Sequence, residues 1–189
     1  MADVTALPAE AQDVLTFWFE EMDEEQWYLN KPCDEIDSAV RSRFLDLYLA
    51  LDQRVPEDWL ATPKGTLAAI IVLDQFPRNM FRGDPRAYAC DGKALDLTRR
   101  AIDQGLDQQV SPREREFFMV PFQHSESAED QWRSVELCTA HGNERMLFYA
   151  RRHLRVIERF GRFPHRNRVL GRKSTAEEEE FLNDPGLFW

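Results

Sequence analysis

The chain has 189 residues, of which 43% are hydrophobic and 31% are charged, a composition typical of a soluble globular protein that can bury one core. Its formal net charge of -10 argues against a nucleic-acid binder, because a polyanion is bound by a positive surface. The longest apolar run, residues 67–73, is far shorter than the roughly 18 residues that span a bilayer, and the N-terminus lacks the basic region of a secretory signal. These features predict one domain over residues 1–189, without a membrane segment and located in the cytoplasm.

Three cysteines are spread widely along the chain, at Cys33, Cys90 and Cys138. None forms a C-x-x-C pair, so neither a disulfide framework nor a thiolate zinc cluster is expected. We interpret them as reduced thiols.

The first half of the chain shows helix patterns and no strand alternation. Pro8 is suited to open a first helix, whose apolar residues are Val14, Leu15, Trp18 and Phe19. A second helix is predicted from about Asp34, with apolar residues every three or four positions at Ile36, Val40, Phe44, Leu47 and Leu51. A third is predicted to follow residues 63–66. The pair Asp84-Pro85 predicts the start of a fourth helix, which we expect to continue to Gly105.

The second half carries clear capping signals. Ser111 and Glu114 match a capping box, and we expect Pro121 to stop the helix that they begin. Ser127 is predicted to cap the next helix, which Gly142 can close.

Two more helices complete the pattern. Asn143 is predicted to cap a long helix that ends at Gly161, and Ser174 or Thr175 a last short one. The short turns between these elements predict an all-α domain of antiparallel helical hairpins. A tandem array of tetratricopeptide type would repeat with a period of about 34 residues, which this chain does not show.

A short phrase occurs twice, as Phe-Pro-Arg-Asn at residues 76–79 and as Phe-Pro-His-Arg-Asn at residues 163–167. Proline fixes the direction of the chain, so the polar side chains after it are held between stiff neighbours. Arginine presents a planar fork that fits carboxylate or phosphate. The sequence therefore predicts an anion-binding pocket built from Arg78, Asn79, Arg82, Arg162, Arg166, Asn167 and Arg172.

A basic run between Arg145 and Lys173 contains only one acid, Glu158. Two interpretations stay open for its helical arginines, Arg151, Arg152, Arg155 and Arg159. They form either a solvated basic face or part of a binding surface.

Histidines and carboxylates supply candidates for proton transfer. His124 and Glu126 follow Pro121 closely, and His165 lies in the second Phe-Pro phrase. Imidazole titrates near neutral pH, and a carboxylate can tune it. These ligand types also suit zinc, but no H-E-x-x-H spacing is present, so neither a metal nor another cofactor is predicted. His153 is interpreted as a hydrogen-bonded core histidine.

Asp74 shares a helical face with Leu67, Ile70 and Ile71, which predicts a buried carboxylate near the C-terminal end of a helix. A buried carboxylate needs a cation, so we expect an arginine of the Phe-Pro segments as its partner. Two roles stay open for Asp74, a structural ion pair and a catalytic acid.

Segments 73–83, 121–126 and 160–175, together with Phe17-Trp18-Phe19, resemble the mainly bacterial family known as domain of unknown function 924. The resemblance covers nearly the whole chain. It implies an all-helical fold similar to tetratricopeptide repeats, and it supplies no established activity.

Three function classes follow from these residues. The first is a binder of a small anionic molecule, carboxylate or phosphate, with acid–base chemistry from Asp74, His124, Glu126 and His165. The second is a tetratricopeptide-like scaffold whose arginines hold a peptide carboxylate. The third is a purely structural polar network. An enclosed pocket favours the first, an open groove the second, and mutually satisfied polar groups the third. The oligomeric state is left open.

Overall fold

The computed structural model describes residues 6–28 and 33–183. Within these ranges every regular element is a helix, which confirms the predicted all-α class. Residues at both chain ends, which the single-domain prediction included, lie outside the described residues, as do residues 29–32.

The N-terminal elements surround one central helix. A π-helical turn, Phe17–Glu21, continues the first helix. The helices are α1 Ala9–Thr16, α2 Glu24–Tyr28, α3 Asp34–Gln53, α4 Glu57–Leu60, α5 Pro63–Asp74 and α6 Phe76–Met80.

The C-terminal elements are longer helices joined by short connections. Three 3₁₀ turns lie between them, at Pro85–Tyr88, Leu106–Gln109 and Pro164–Arg166. The helices are α7 Asp91–Asp103, α8 Pro112–His124, α9 Ala128–His141, α10 Glu144–Phe160 and α11 Ala176–Leu182.

Helix α5 is the centre of the main core. Every residue from Gly65 to Asp74 is buried, as expected for a helix that is apolar on all sides. It packs against α1, α3, α4, α7 and α8. The acid at its last position is therefore enclosed by other elements.

Helices α8, α9 and α10 follow one another closely in sequence and in space. Residues 125–127 join α8 to α9, and residues 142–143 join α9 to α10. Because each pair is packed together and such short connections reverse the chain, the neighbours are antiparallel. Met119, Phe122, Leu147 and Ala150 belong to the core cluster between them.

The capping predictions are largely confirmed. Both bonds of the Ser111–Glu114 capping box are present, and the Asn143 side chain accepts from the first turn of α10. Thr175 forms the capping box of α11. Ser127 precedes α9 without a side-chain capping bond.

The predicted helix stop at Pro121 is wrong. Pro121 lies inside α8, which continues to His124. Proline removes one backbone hydrogen bond, but the flanking side chains of Phe118, Met119 and Phe122 are buried and hold the turn in place. This extra turn carries His124.

Two predicted helix starts are also corrected. The third helix begins at Pro63, with Thr62 as its cap, earlier than expected. Asp84-Pro85 opens only a 3₁₀ turn, and α7 begins separately at Asp91. The break places Tyr88 and Asp91 at a junction beside α6.

The close approach of α5 to α4 generates a stability prediction. A Cβ added at Gly65 would lie 2.3 Å from the Trp59 carbonyl oxygen, whereas one added at Gly92 meets nothing within 4 Å. Gly65→Ala is expected to lower the free energy of unfolding by about 1–3 kcal/mol, because the added methyl group overpacks the contact. Gly92→Ala, the matched control, is expected to stabilise by about 0.4–1 kcal/mol. Urea unfolding of both variants measures this. An unchanged free energy of unfolding in Gly65→Ala would show that α4 and α5 do not approach so closely.

Candidate ligand cavity

A cavity of about 400 Å³ opens where the two Phe-Pro segments meet the end of α8. The cavity brings together some of the guanidinium and imidazole groups that were predicted to meet from distant segments. The predicted site residues that line it are Arg78, Asn79, Arg82, His124, His165 and Arg166.

His124 and Asp74 form a hydrogen-bonded pair at the cavity wall. Nδ1 of His124 lies 2.8 Å from Oδ1 of Asp74, whose side chain is 1% exposed. An ionised carboxylate only accepts hydrogen bonds, so Nδ1 carries the proton. Nε2 of His124 has no hydrogen-bond partner among the described residues, which leaves its lone pair available.

The charge state of this pair is set by burial and by Arg78. Burial raises the pKa of Asp74, but the interactions with His124 and Arg78 and the hydrogen bond from Gln75 outweigh it and hold that pKa well below its ordinary value. For His124, burial and then the Arg78 charge lower the pKa. An ionised Asp74 thus accepts from a neutral imidazole, and the Gln75 amide donates to the same carboxylate.

The expected arginine partner of Asp74 is Arg78, at 3.5 Å in the ion pair. Arg78 also lies 2.9 Å from Asp91, and Arg166 lies 3.1 Å from the same carboxylate. Arg166 donates to the His124 carbonyl oxygen at 3.0 Å. These contacts close a ring, which we call the charge ring: Asp74, Arg78, Asp91, Arg166 and His124.

Tyr88 supports both arginines of the charge ring. Its ring centroid lies 4.6 Å from the Arg166 guanidinium carbon and 5.8 Å from that of Arg78, within the range of cation–π attraction. Tyr88 and Asp91 were not predicted as site residues, because both fall inside the single helix expected from Asp84-Pro85 to Gly105. The cap and proline at Asp84-Pro85 were the sequence features that mark the 3₁₀ turn before α7.

His153 lines the cavity, where we had predicted a core histidine. Its Nδ1 donates to the Tyr149 carbonyl oxygen at 2.8 Å, so the predicted hydrogen bond is confirmed. The imidazole ring lies 6.5 Å from that of His124 and 5.6 Å from Phe163. Burial lowers its pKa to about 3, and the hydrogen bond to Tyr149 offsets only part of that effect.

His165 lies at the exposed rim of the cavity. Its ring is tilted against Phe163, with centroids 5.6 Å apart. Partial removal of the ring from water and then the Arg166 charge lower the pKa of His165. Because the residue is exposed, water that still reaches the ring limits this effect.

Arg82 and Asn79 are held by Asp37 of α3. Arg82 binds both carboxylate oxygens, at 2.8 and 2.9 Å, and the Asn79 amide donates to one of them at 2.8 Å. Burial raises the pKa of Asp37, but the hydrogen bonds from Arg82 and Asn79 outweigh burial, so the pKa lies below its ordinary value. Both cavity residues are therefore oriented before any ligand arrives.

An aromatic wall completes the lining, formed by Trp18, Trp27 and Phe117. Trp18 and Trp27 are stacked with centroids 6.3 Å apart, and Phe117 meets Trp27 edge-on at 4.9 Å. The Trp27 indole N–H donates to the Trp18 carbonyl oxygen at 3.1 Å. Trp18, an apolar residue of the predicted first helix, is buried in the main core cluster and also lines the cavity, and nothing in the local sequence pattern predicts the second role.

Glu126 is not among the residues lining the cavity. It accepts from Arg172 at 2.7 and 3.0 Å and from the Phe163 backbone N–H at 2.8 Å. Arg172 also donates to Asn167 at 2.9 Å. These contacts brace the second Phe-Pro segment behind the cavity.

Arg162 and Asn167 are also not among the residues lining the cavity. Arg162 donates to both oxygens of Glu178, at 2.6 and 2.8 Å, and Asn167 donates to Glu178 at 3.2 Å. Hydrogen bonding from Arg162 lowers the pKa of Glu178 to about 2. The ligand-binding roles of Arg162, Asn167 and Arg172, and the catalytic role of Glu126, stay predictions.

Within residues 6–28 and 33–183 no group of three or more His, Cys, Asp or Glu side chains could hold a metal ion. No helix in the described part of the chain is both long and apolar enough to cross a bilayer.

Comparison with known proteins identifies a family but no activity. The sequence model of a bacterial protein family of unknown function, DUF924, matches residues 14–186. The solved structure of a protein of unknown function from Agrobacterium tumefaciens is similar, with 38% sequence identity and a TM-score of 0.86 over 93% of this chain and 97% of that one. No curated protein sequence matches. With its match over most of its length, this chain belongs to the DUF924 family.

Proposed function

We propose that the cavity binds a small organic anion and that His124 acts on it as a general base. The observation that carries the proposal is the His124–Asp74 pair, which lies at the wall of a cavity that three arginines also line. Catalytic bases are commonly oriented in this way by a carboxylate.

The arrangement of charges supports anion binding. Arg78, Arg82 and Arg166 line the cavity, whereas their partners Asp37 and Asp91 do not. At these pairs a ligand therefore meets the guanidinium groups first, although the Glu116 side chain also lines the cavity. Guanidinium groups bind carboxylate oxygens through charge-assisted hydrogen bonds.

The state of His124 supports the base role. A neutral imidazole with its proton on Nδ1 offers Nε2 as a proton acceptor. When it takes up a proton, the adjacent Asp74 carboxylate stabilises the imidazolium. The two rings of His153 and His165 also line the cavity, so a ligand is surrounded by imidazole groups.

The size of the cavity supports a small ligand over a peptide. Its lining residues come from the π-helical turn, α2, α3, α6, α8, α10 and the two 3₁₀ turns Pro85–Tyr88 and Pro164–Arg166. Its volume lies in the range of small-molecule sites, about 300–1,000 Å³. A tetratricopeptide-like scaffold that holds a peptide carboxylate is the alternative, and it calls for a long open groove.

A cytoplasmic location is part of the proposal. It is supported by Cys33, Cys90 and Cys138, which are all free thiols, as expected in a reducing compartment.

Removing a guanidinium from the cavity tests anion binding. A panel of benzoate, phenylacetate, citrate and inorganic phosphate is titrated into the wild type by calorimetry. Arg166→Gln is expected to weaken the tightest binder about 10–100-fold, because a hydrogen bond to a charged group contributes about 1.5–3 kcal/mol.

Arg168→Gln is the matched control, since Arg168 is exposed nearby and is not in the lining. Its affinity is expected to equal that of the wild type. Melting curves of both variants show whether the fold is kept. Equal affinities of a folded Arg166→Gln and the wild type would contradict anion binding at this cavity.

The protonation state of His124 is a separate prediction. Burial and Arg78 lower its pKa, so nitrogen NMR is expected to show a neutral ring at pH 7, protonated at Nδ1, that titrates only below the ordinary value of about 6.5. In Asp74→Asn the side-chain amide can donate to Nδ1, which would move the proton to Nε2. An imidazolium at pH 7 in the wild type would rule out His124 as a base there.

A further inference from the structure

The charges beside the cavity restrict which anion it takes. Arg82 is neutralised by Asp37, which it binds through both oxygens. Arg78 has two carboxylate neighbours, Asp74 at 3.5 Å and Asp91 at 2.9 Å. Each cavity guanidinium is therefore already paired with an acid.

The positive and negative charges of these ion pairs are equal in number. Arg166 shares Asp91 with Arg78, so three guanidinium groups face three carboxylates: Arg78, Arg82 and Arg166 against Asp37, Asp74 and Asp91. Glu116 also lines the cavity and adds no positive charge. The site has donors for an anion but no surplus cation.

This charge balance favours a carboxylate over a phosphate ester as the ligand. A phosphate monoester carries about 1.5–2 negative charges at pH 7, and each uncompensated charge taken out of water costs several kcal/mol. A carboxylate brings one charge. It can use the guanidinium N–H groups at the cavity and leaves less negative charge uncompensated than a phosphate ester does.

The aromatic wall restricts the rest of the ligand. The Trp27 N–H is used by the Trp18 carbonyl oxygen, and the Trp18 indole nitrogen is buried without a hydrogen-bond partner. Ile36 and Val120 also line the cavity. Aromatic and aliphatic side chains of this kind favour a hydrocarbon body over a sugar or a nucleobase.

We propose that the ligand is a monocarboxylic acid with an apolar, aryl or alkyl body, and not a phosphate ester. This inference rests on the proposed function, since it assumes that the cavity binds an anion. It adds that the carboxylate lies at the charge ring and the hydrocarbon against the aromatic wall.

Four probes that differ in one feature each test it by calorimetry. They are 3-phenylpropionate, the matched 2-phenylethyl phosphate, the neutral 3-phenylpropionamide and propionate. We expect 3-phenylpropionate to bind at least about tenfold more tightly than each of the others, a difference of about 1.4 kcal/mol.

A charge variant tests the balance directly. Asp91→Asn removes one negative charge from the ring, so the ratio of phosphate ester to carboxylate affinity is expected to rise about tenfold or more. Asp96→Asn is the matched control on α7, because Asp96 pairs with Arg99 and is 65% exposed. Its ratio is expected to be unchanged, and melting curves confirm that both variants fold.

The outcomes distinguish this inference from the proposed function. A phosphate ester that binds more tightly in the wild type, or an unchanged ratio in folded Asp91→Asn, overturns the monocarboxylate inference and leaves anion binding standing. Equal binding of propionate and 3-phenylpropionate overturns the apolar body. An amide that binds as tightly as the carboxylate overturns both proposals. Absence of binding by all four probes also overturns the inference, whereas the separate citrate and phosphate titrations decide anion binding.

Discussion

The ionised carboxylate of Asp74 is the constraint on which the polar architecture depends. It lies at the last position of the most enclosed helix, α5, where the helix dipole disfavours negative charge. Such a group is tolerated only with cations and hydrogen-bond donors around it. Arg78, Gln75 and His124 supply them. The carboxylate thereby ties the start of α6 and the last turn of α8 to the core helix.

The remaining polar contacts follow from that pairing. Arg78 reaches Asp91, Asp91 reaches Arg166, and Arg166 returns to the His124 backbone. A hydrophobic cluster of equal volume is often as stable as a buried ionic network, so stability alone does not account for the charge ring. Its position beside a cavity does give it a use, because it presents oriented donors and a proton acceptor to a ligand.

Local signals predicted the fold well, because caps and apolar periodicity act within one turn of helix. The continuous apolar run of α5 and the capping box at Ser111 are examples. Pro121 was misjudged because burial of its neighbours outweighs one lost hydrogen bond. Asp91 could not be identified, since its partner Arg166 lies 75 positions away and no local pattern encodes that contact.

The two Phe-Pro phrases show how far a motif reaches. In both, proline lies in the first turn of a short helix, so the local conformation does follow from the sequence. The arginines around them nevertheless differ in surroundings. Arg78 and Arg166 border an open cavity, whereas Arg162 is held by Glu178 behind it. Because arginine offers the same fork in each place, it is the space left beside the guanidinium that separates a candidate ligand group from a structural brace.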